Sequence, residues 1–326
     1  MTRAAVALFV AIVAGALAAP GGVRAQGALK IPRVGVLFAA GAGFNEAFTQ
    51  GLQERGYVEG RNIIVERRYT QGMPERMNEM AAELVRMKVD VIVAGTDATI
   101  AAIKRQTRSI PIVMVGASDP VGTGFVASLA RPGGNVTGLS RMGPELSAKR
   151  LGLLREAVPD VSRVAVIWNP DVRGAVLDYK ELEEPARTMR IQLQSVEVAR
   201  AEDLAGAFSA IVEGRAKALY VITPNPVTFS NQGQLVSFAQ RHRLPSIYGV
   251  HEYAEAGGLM AYGASINAAF RRAAFFIDSI LKGTRPGDLP VEQPTQFELV
   301  INLKTAQAIG LTMPPSLLQR ADRVIQ

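Results

Sequence analysis

Three strand-like segments recur in the same order about 130 residues apart, and this repeat limits the folds open to the chain more than any other feature. Arg33-Val34-Gly35-Val36-Leu37 returns as Arg163-Val164-Ala165-Val166-Ile167. Val89-Asp90-Val91-Ile92-Val93 returns as Ala216-Lys217-Ala218-Leu219-Tyr220, and Ile110-Pro111-Ile112-Val113 as Leu244-Pro245-Ser246-Ile247. Short apolar runs of this kind are strands buried on both faces of a parallel sheet. Amphipathic segments separate them. Phe44 to Arg55 carries Phe44, Ala47, Phe48, Gly51 and Leu52 on one face and stops at Gly56. A second helix opens at Pro74, and a third covers Ala98 to Lys104. Strand and helix alternating twice over predict an α/β protein of two doubly wound, Rossmann-like lobes. Ligand groups then belong on the loops after the strand ends, facing a cleft.

The turn cluster Arg131-Pro132-Gly133-Gly134-Asn135 marks the first boundary. Lobe 1 is expected to take residues 30–140 plus 249–293, the latter bringing a strand at Leu259–Tyr262 and a helix at Ala268–Leu281. Lobe 2 is expected to take 141–248 plus 294–326. Residues 1–25 read as a signal peptide: Arg3, an apolar run from Ala4 to Ala19, and Val23-Arg24-Ala25 before a cleavage point. That run is shorter than the roughly 20 residues a permanent span needs. No cysteine follows it, so a soluble periplasmic protein rather than a lipoprotein is expected.

With 0 Cys in 326 residues, thiol chemistry and Cys-ligated metals are excluded, and with 2 His no multi-His site is expected. His251-Glu252 lacks the second histidine of a zinc motif, and no metal is expected. The formal charge of +7 is scattered, with no basic run and no aromatic interleaving, so no nucleic-acid partner is expected. Gly41-Ala42-Gly43-Phe44-Asn45-Glu46 imitates a dinucleotide fingerprint, but Glu46 stands where the third glycine belongs, so no cofactor is expected. No nucleophile is marked by an elbow motif, and no catalytic residue is assigned.

The loops after the strands supply the candidate ligand-binding residues: Ala40, Gly41 and Phe44 after the first strand, Thr96 after the third, and Ser118 and Asp119 after the fourth. Their counterparts in the second lobe are Asn169, Asn225, Phe229, Tyr248 and Glu252. Thr96 or Asp97 can cap the helix that follows, and Asp119 with Pro120 has the form of an N-cap and first helical residue. Thr96 and Ser118 are expected to hold an anionic end of the ligand, with Asn225 facing them. Asp119 or Glu252 would meet an ammonium. Phe44, Trp168, Phe229 and Tyr248 would supply apolar walls.

Longer strings add a resemblance. Gln50-Gly51-Leu52-Gln53-Glu54-Arg55-Gly56-Tyr57-Val58-Glu59-Gly60-Arg61-Asn62 resembles a segment of ABC-transporter substrate-binding proteins of the tryptophan/tyrosine-type uptake family. So do Asp119 to Leu129, Arg131 to Gly138, and Phe297 to Ala306, and the similarity runs from Ile31 to about Ile325. The resemblance implies a type I periplasmic-binding-protein fold and a small-molecule solute bound by hinge closure. It implies delivery to permease subunits in the inner membrane. The expected state is a monomer that binds an amino acid or an aromatic or small carboxylate. Where relatives often carry Asp, this chain has Asn225. A periplasmic sensor subunit, or an exported enzyme on the same scaffold, are the rival expectations.

Overall fold

The computed structural model describes residues 30–38, 44–71, 73–223 and 225–326, and the expected signal peptide lies outside them. The described residues form two sheets. The first contains β1 (Arg33–Phe38), β2 (Ile64–Tyr69), β3 (Val91–Ala94), β4 (Ile112–Ala117) and β5 (Val136–Ser140), all parallel, in the order β2-β1-β3-β4-β5. Helices α1 (Asn45–Glu54), α2 (Pro74–Arg86) and α3 (Asp97–Gln106) make the crossovers. Side chains alternate faces along each strand. Leu37, Ile92 and Ala94 therefore join the core under α2 and α3, whereas Val36, Val91 and Val93 join the opposite core under α1.

The second sheet contains β6 (Arg163–Trp168), β7 (Gln192–Glu197), β8 (Ala218–Val221), β9 (Ser246–Tyr248) and β10 (Met260–Gly263). It is extended by β11 (Glu298–Asn302) and β12 (Arg323–Ile325), in the order β12-β11-β10-β9-β8-β6-β7. The β10–β11 pair is antiparallel. Its helices are α4 (Gly143–Ala157), α5 (Arg173–Thr188), α6 (Asp203–Glu213), α7 (Pro226–Ser230), α8 (Gln232–Arg241) and α9 (Glu252–Glu255). After them come α10 (Ile266–Leu281), α11 (Leu303–Ala308) and α12 (Pro315–Arg320). The strands matched by the sequence repeat hold matching places: β6 stands where β1 does, β8 where β3 does and β9 where β4 does.

The same symmetry corrects one expectation. The strand at Leu259–Tyr262 was expected in lobe 1, but β10 pairs with β9 and β11 and completes the second sheet, as β5 completes the first. Only the following helix crosses over: α10 packs on α1 and on the first sheet through Phe270, Ala273, Ala274 and Ile277. Reciprocally, α4 leaves β5 and packs against α5 in the second lobe. Each lobe thus borrows a helix from the other's repeat. The chain crosses between lobes after β5, after β10 and again before β11.

Candidate binding site between the two lobes

In each lobe the parallel strands point their C-terminal ends at the other lobe. The contact is direct. Gly174, in the first turn of α5, lies so close to Asp97 and Ser118 of the first lobe that a Cβ there would collide with both side chains. Arg173 Nε donates to the Gly122 carbonyl at 2.8 Å. Phe44 stacks on Phe270 at 5.1 Å and meets Phe229 across the cleft at 5.8 Å. The lobes are therefore closed on one another.

The first-lobe loops spend their polar groups locally. Thr96, rather than Asp97, caps α3: its Oγ1 accepts from Thr99 N at 3.2 Å, while its own N donates to Thr99 Oγ1 at 3.0 Å. Ser118 Oγ donates to Asp97 Oδ2 at 2.6 Å, and Ser118 N to Asp97 Oδ1 at 3.1 Å. Burial pushes the Asp97 carboxyl above its ordinary range, against the Arg141 charge and the Ser118 bonds. A carboxylate bound to Ser118 makes that hydroxyl a poor partner for a second anion. The helix expected after Asp119 is instead a tight turn, because Asp119 Oδ1 accepts from Val121 N and Gly122 N at 3.1 and 2.8 Å. Ala40 and Gly41 lie outside the described residues.

The second-lobe loops are less complete. Asn169 Oδ1 closes a turn on Asp171 N at 2.9 Å and lines a cleft cavity of about 390 Å³ with Asp97, Arg173, Gly174 and Val227. Asn225 caps α7 through Oδ1 to Val227 N at 3.0 Å, yet its buried Nδ2 has no partner. Both oxygens of Glu252 are buried without a hydrogen bond, with His251 Nε2 at 3.5 Å. Burial raises the Glu252 carboxyl, with His251 opposing it. Phe229 faces Phe44 and leans edge-on against Tyr253 at 6.0 Å. Tyr248 belongs to the lobe's core, fully buried and stacked on Tyr253 at 4.4 Å, and burial pushes its hydroxyl up to about 12. Trp168 packs on Tyr179, partly buried against the second-lobe core.

Sequence reasoning missed the charges at the hinge. Arg141, just after β5, donates to Asp178 of α5 at 2.6 Å, and Asp178 is 1% exposed. Burial works against the Arg141 charge, while Asp178 and Asp97 hold its pKa above the ordinary value. Behind these groups a cavity of about 320 Å³ is lined from all three crossovers, by Leu139, Arg141, Ile266 and Thr295 among others, and by Arg150 of α4. The available signal was a charge on an apolar stripe. Asp178 shares a helix face with Gly174 and Leu182, and Arg150 shares one with Leu146, Leu151 and Leu154.

Residues 40–325 match the family of ABC transporter substrate binding proteins. A curated tyrosine-binding protein from Clostridioides difficile is 27% identical over 267 residues, covering 82% of this chain and 76% of the relative. A conserved domain protein from Vibrio cholerae is 29% identical with a TM-score of 0.84, over 90% of this chain and 100% of that one. A Streptococcus pneumoniae domain solved in complex with L-Trp is 25% identical with a TM-score of 0.80, with the same coverage of 90% and 100%.

Proposed function

The chain belongs to the family of ABC transporter substrate-binding proteins, and we propose that it serves an uptake permease from the periplasm. It is a solute-binding receptor for a small organic ligand, on the type I periplasmic-binding fold. Its family and its curated relative are binding proteins rather than enzymes. Receptors of this family work outside the cytoplasm. Among the described residues no helix is long and apolar enough to cross a membrane. In our reading, export uses the leader at residues 1–25 with cleavage after Ala25, and the mature monomer carries no lipid.

The proposed solute is an amino acid or an aromatic or small carboxylate, enclosed between the lobes. Contacts to both lobes favour the closed state, which the permease then recognises. The observation that carries this reading is the unmet polar capacity of the second lobe. A buried amide donor at Asn225 and a buried carboxylate at Glu252 both follow strand ends that face the first lobe. Buried polar groups without partners are costly, and a ligand that supplies the partners repays the cost on closure. Glu252 suits an ammonium and Asn225 Nδ2 suits a ligand oxygen. Phe44 and Phe229 form the apolar wall, with Asn169 and Ser118 around it. Similarity to tyrosine- and L-Trp-binding relatives supports a solute with an aromatic ring.

A thermal-shift screen of amino acids, aromatic acids and small carboxylates tests the reading. A solute at 100 times its dissociation constant contributes about 2.7 kcal/mol to stability. The same solute should compact the protein in small-angle scattering. If no solute raises the melting temperature or closes the lobes, the receptor site is wrongly assigned.

A further inference from the structure

Helix α4 turns an apolar stripe toward the second-lobe core, and one position of that stripe is an arginine. Arg150 is 3% exposed, between Leu146 and Leu151 on one side and Leu153 and Leu154 on the other. Its Nε donates to the Tyr262 carbonyl at 2.7 Å, and among the described residues its two terminal nitrogens have no hydrogen-bond or ion-pair partner. The other arginines of the same cavity each hold a carboxylate, although Nε and Nη1 of Arg141 are buried without hydrogen-bond partners. Arg272 grips Glu292 through two bonds of 2.7 and 2.9 Å, and Arg141 holds Asp178. Glu298 also lines the cavity but stands beyond ion-pair reach of Arg150.

A buried guanidinium without a counter-charge is among the more costly groups a core can keep, and methionine or leucine would fill the same stripe position without that cost. The surroundings are shaped to leave its face open. A Cβ on Gly249 would stand 3.3 Å from both Cζ and Nη2 of Arg150, and one on Gly263 3.6 Å from Nη2. Beyond the guanidinium the cavity is walled by Val115, Leu139, Val250 and Ile266.

We infer that Arg150 is the anchor for the solute's carboxylate: its two free nitrogens face the hinge cavity, and the apolar walls take the adjoining carbon skeleton. This deepens the receptor reading and rests on it. It moves the anionic end away from Thr96 and Ser118, whose hydroxyls are already bonded within the first lobe. The planar fork of arginine matches a carboxylate bidentately. Because all three crossovers line the cavity, an anion held there also ties ligand occupancy to the hinge.

The test compares carboxylates with their primary amides: 3-phenylpropionate against 3-phenylpropionamide, and L-tryptophan against L-tryptophanamide, by calorimetry and thermal shift. In the wild type at least one acid should bind about tenfold or more tighter than its amide, the range of charge-assisted hydrogen bonds. Arg150→Met should abolish that preference while the ligand-free protein melts at the same temperature or higher. Arg150→Lys keeps the charge and carries the test if the methionine variant does not fold: it should weaken the acid and leave the amide unchanged. The inference is overturned if neither acid outbinds its amide in the wild type, or if the preference survives in Arg150→Met. Equal weakening of acid and amide by Arg150→Lys, or a lowered ligand-free melting temperature in Arg150→Met, also overturns it. The receptor reading is judged apart from this, by whether any solute, charged or neutral, closes the lobes in scattering.

Discussion

The two lobes share one topology but treat the polar groups at their strand ends differently. In the first lobe Thr96, Asp97, Ser118 and Asp119 bond to one another or to nearby backbone, and the exception is Arg141 after β5, whose Nε and Nη1 are buried without hydrogen-bond partners. In the second lobe Asn225 Nδ2 and both Glu252 oxygens are buried without hydrogen-bond partners, and Arg150 is bonded only through Nε among the described residues. A fold tolerates unmet buried groups mainly where something outside the chain meets them. On the proposed reading the first lobe acts as a preformed plate, and the second carries most of the recognition chemistry.

The largest expected effect breaks the plate. Gly51 of α1 lies against the backbone carbonyl of Arg271 in α10, and a Cβ there would collide with it. Backbone cannot move aside as a side chain can. Gly51→Ala should cost about 3 kcal/mol of stability, at the top of the range for overpacking. Hydrogen exchange should show the loss in β1, α1 and α10 first, with the second sheet still protected. Uniform loss across both sheets would mean that the borrowed helices make the lobes one cooperative unit.

Next is Gly174, where the lobes touch. Gly174→Val drives a side chain into Asp97 and Ser118 in the closed form only. Closure should be penalised by about 2 kcal/mol, roughly thirtyfold in solute affinity. Scattering of the variant with solute should resemble the ligand-free protein, and its ligand-free melting temperature should hold.

How much of this was legible beforehand divides along the same line. The repeat located β1, β3 and β4 with their partners β6, β8 and β9, because buried strands announce themselves by uninterrupted apolar runs. The repeat does not extend to β10, a four-residue strand that adjoins a helix of the other lobe in sequence. Sheet membership is decided by pairing with β9 and β11, which no local pattern reports. Loop positions after strands were legible from topology. Whether a hydroxyl there is free was only partly so: the Thr96 and Thr99 spacing is that of a reciprocal cap, whereas the Ser118–Asp97 bond joins two loops 21 residues apart. Arg150 and Asp178 were readable as charges on apolar faces, a signal obscured when stripes are scored by their hydrophobic members alone.

Titration separates the lobes further. Burial raises the Glu252 carboxyl above its ordinary value of 4.5, and raises Asp97 above 3.8. For a raised acid, the stabilising contribution is complete below the unfolded value, where both states are protonated. It is lost as pH rises through the higher folded value, because the folded state must then hold a buried charge. Ligand-free stability should therefore decline from about pH 4.5 toward neutrality. Glu252→Gln should flatten part of that decline and melt above the wild type at pH 7, converging with it near pH 4. Asp97→Asn should flatten another part. Its amide can still accept from Ser118 N and donate to Ser118 Oγ, so solute affinity should hold. Only the Glu252 variant should weaken solutes bearing an ammonium. Equal loss of affinity in both variants would erase the distinction between plate and recognition surface.

The smallest expected effect is at Asp119, the first-lobe acid that most resembles a ligand residue in sequence. Its Oδ1 caps the turn at Val121 and Gly122, and its carbonyl accepts from Thr123 N at 2.9 Å and Thr123 Oγ1 at 2.6 Å. The far end of the turn is held by Lys104, which donates to the Gly124 and Phe125 carbonyls. Asp119→Ala removes one acceptor from a turn with other supports, so it should cost about 1 kcal/mol, the usual worth of such a cap. The turn also presents the Gly122 carbonyl to Arg173 of the second lobe, which links its shape to closure. Because the backbone bonds remain, affinity should change by less than about twofold, within the few tenths of a kcal/mol expected of a residue outside the recognition surface. Asp119→Asn keeps an oxygen acceptor and should restore the lost stability. A tenfold loss of affinity in Asp119→Ala at an unchanged melting temperature would put an acidic ligand contact in the first lobe. The comparison between the two lobes would then reverse at this loop.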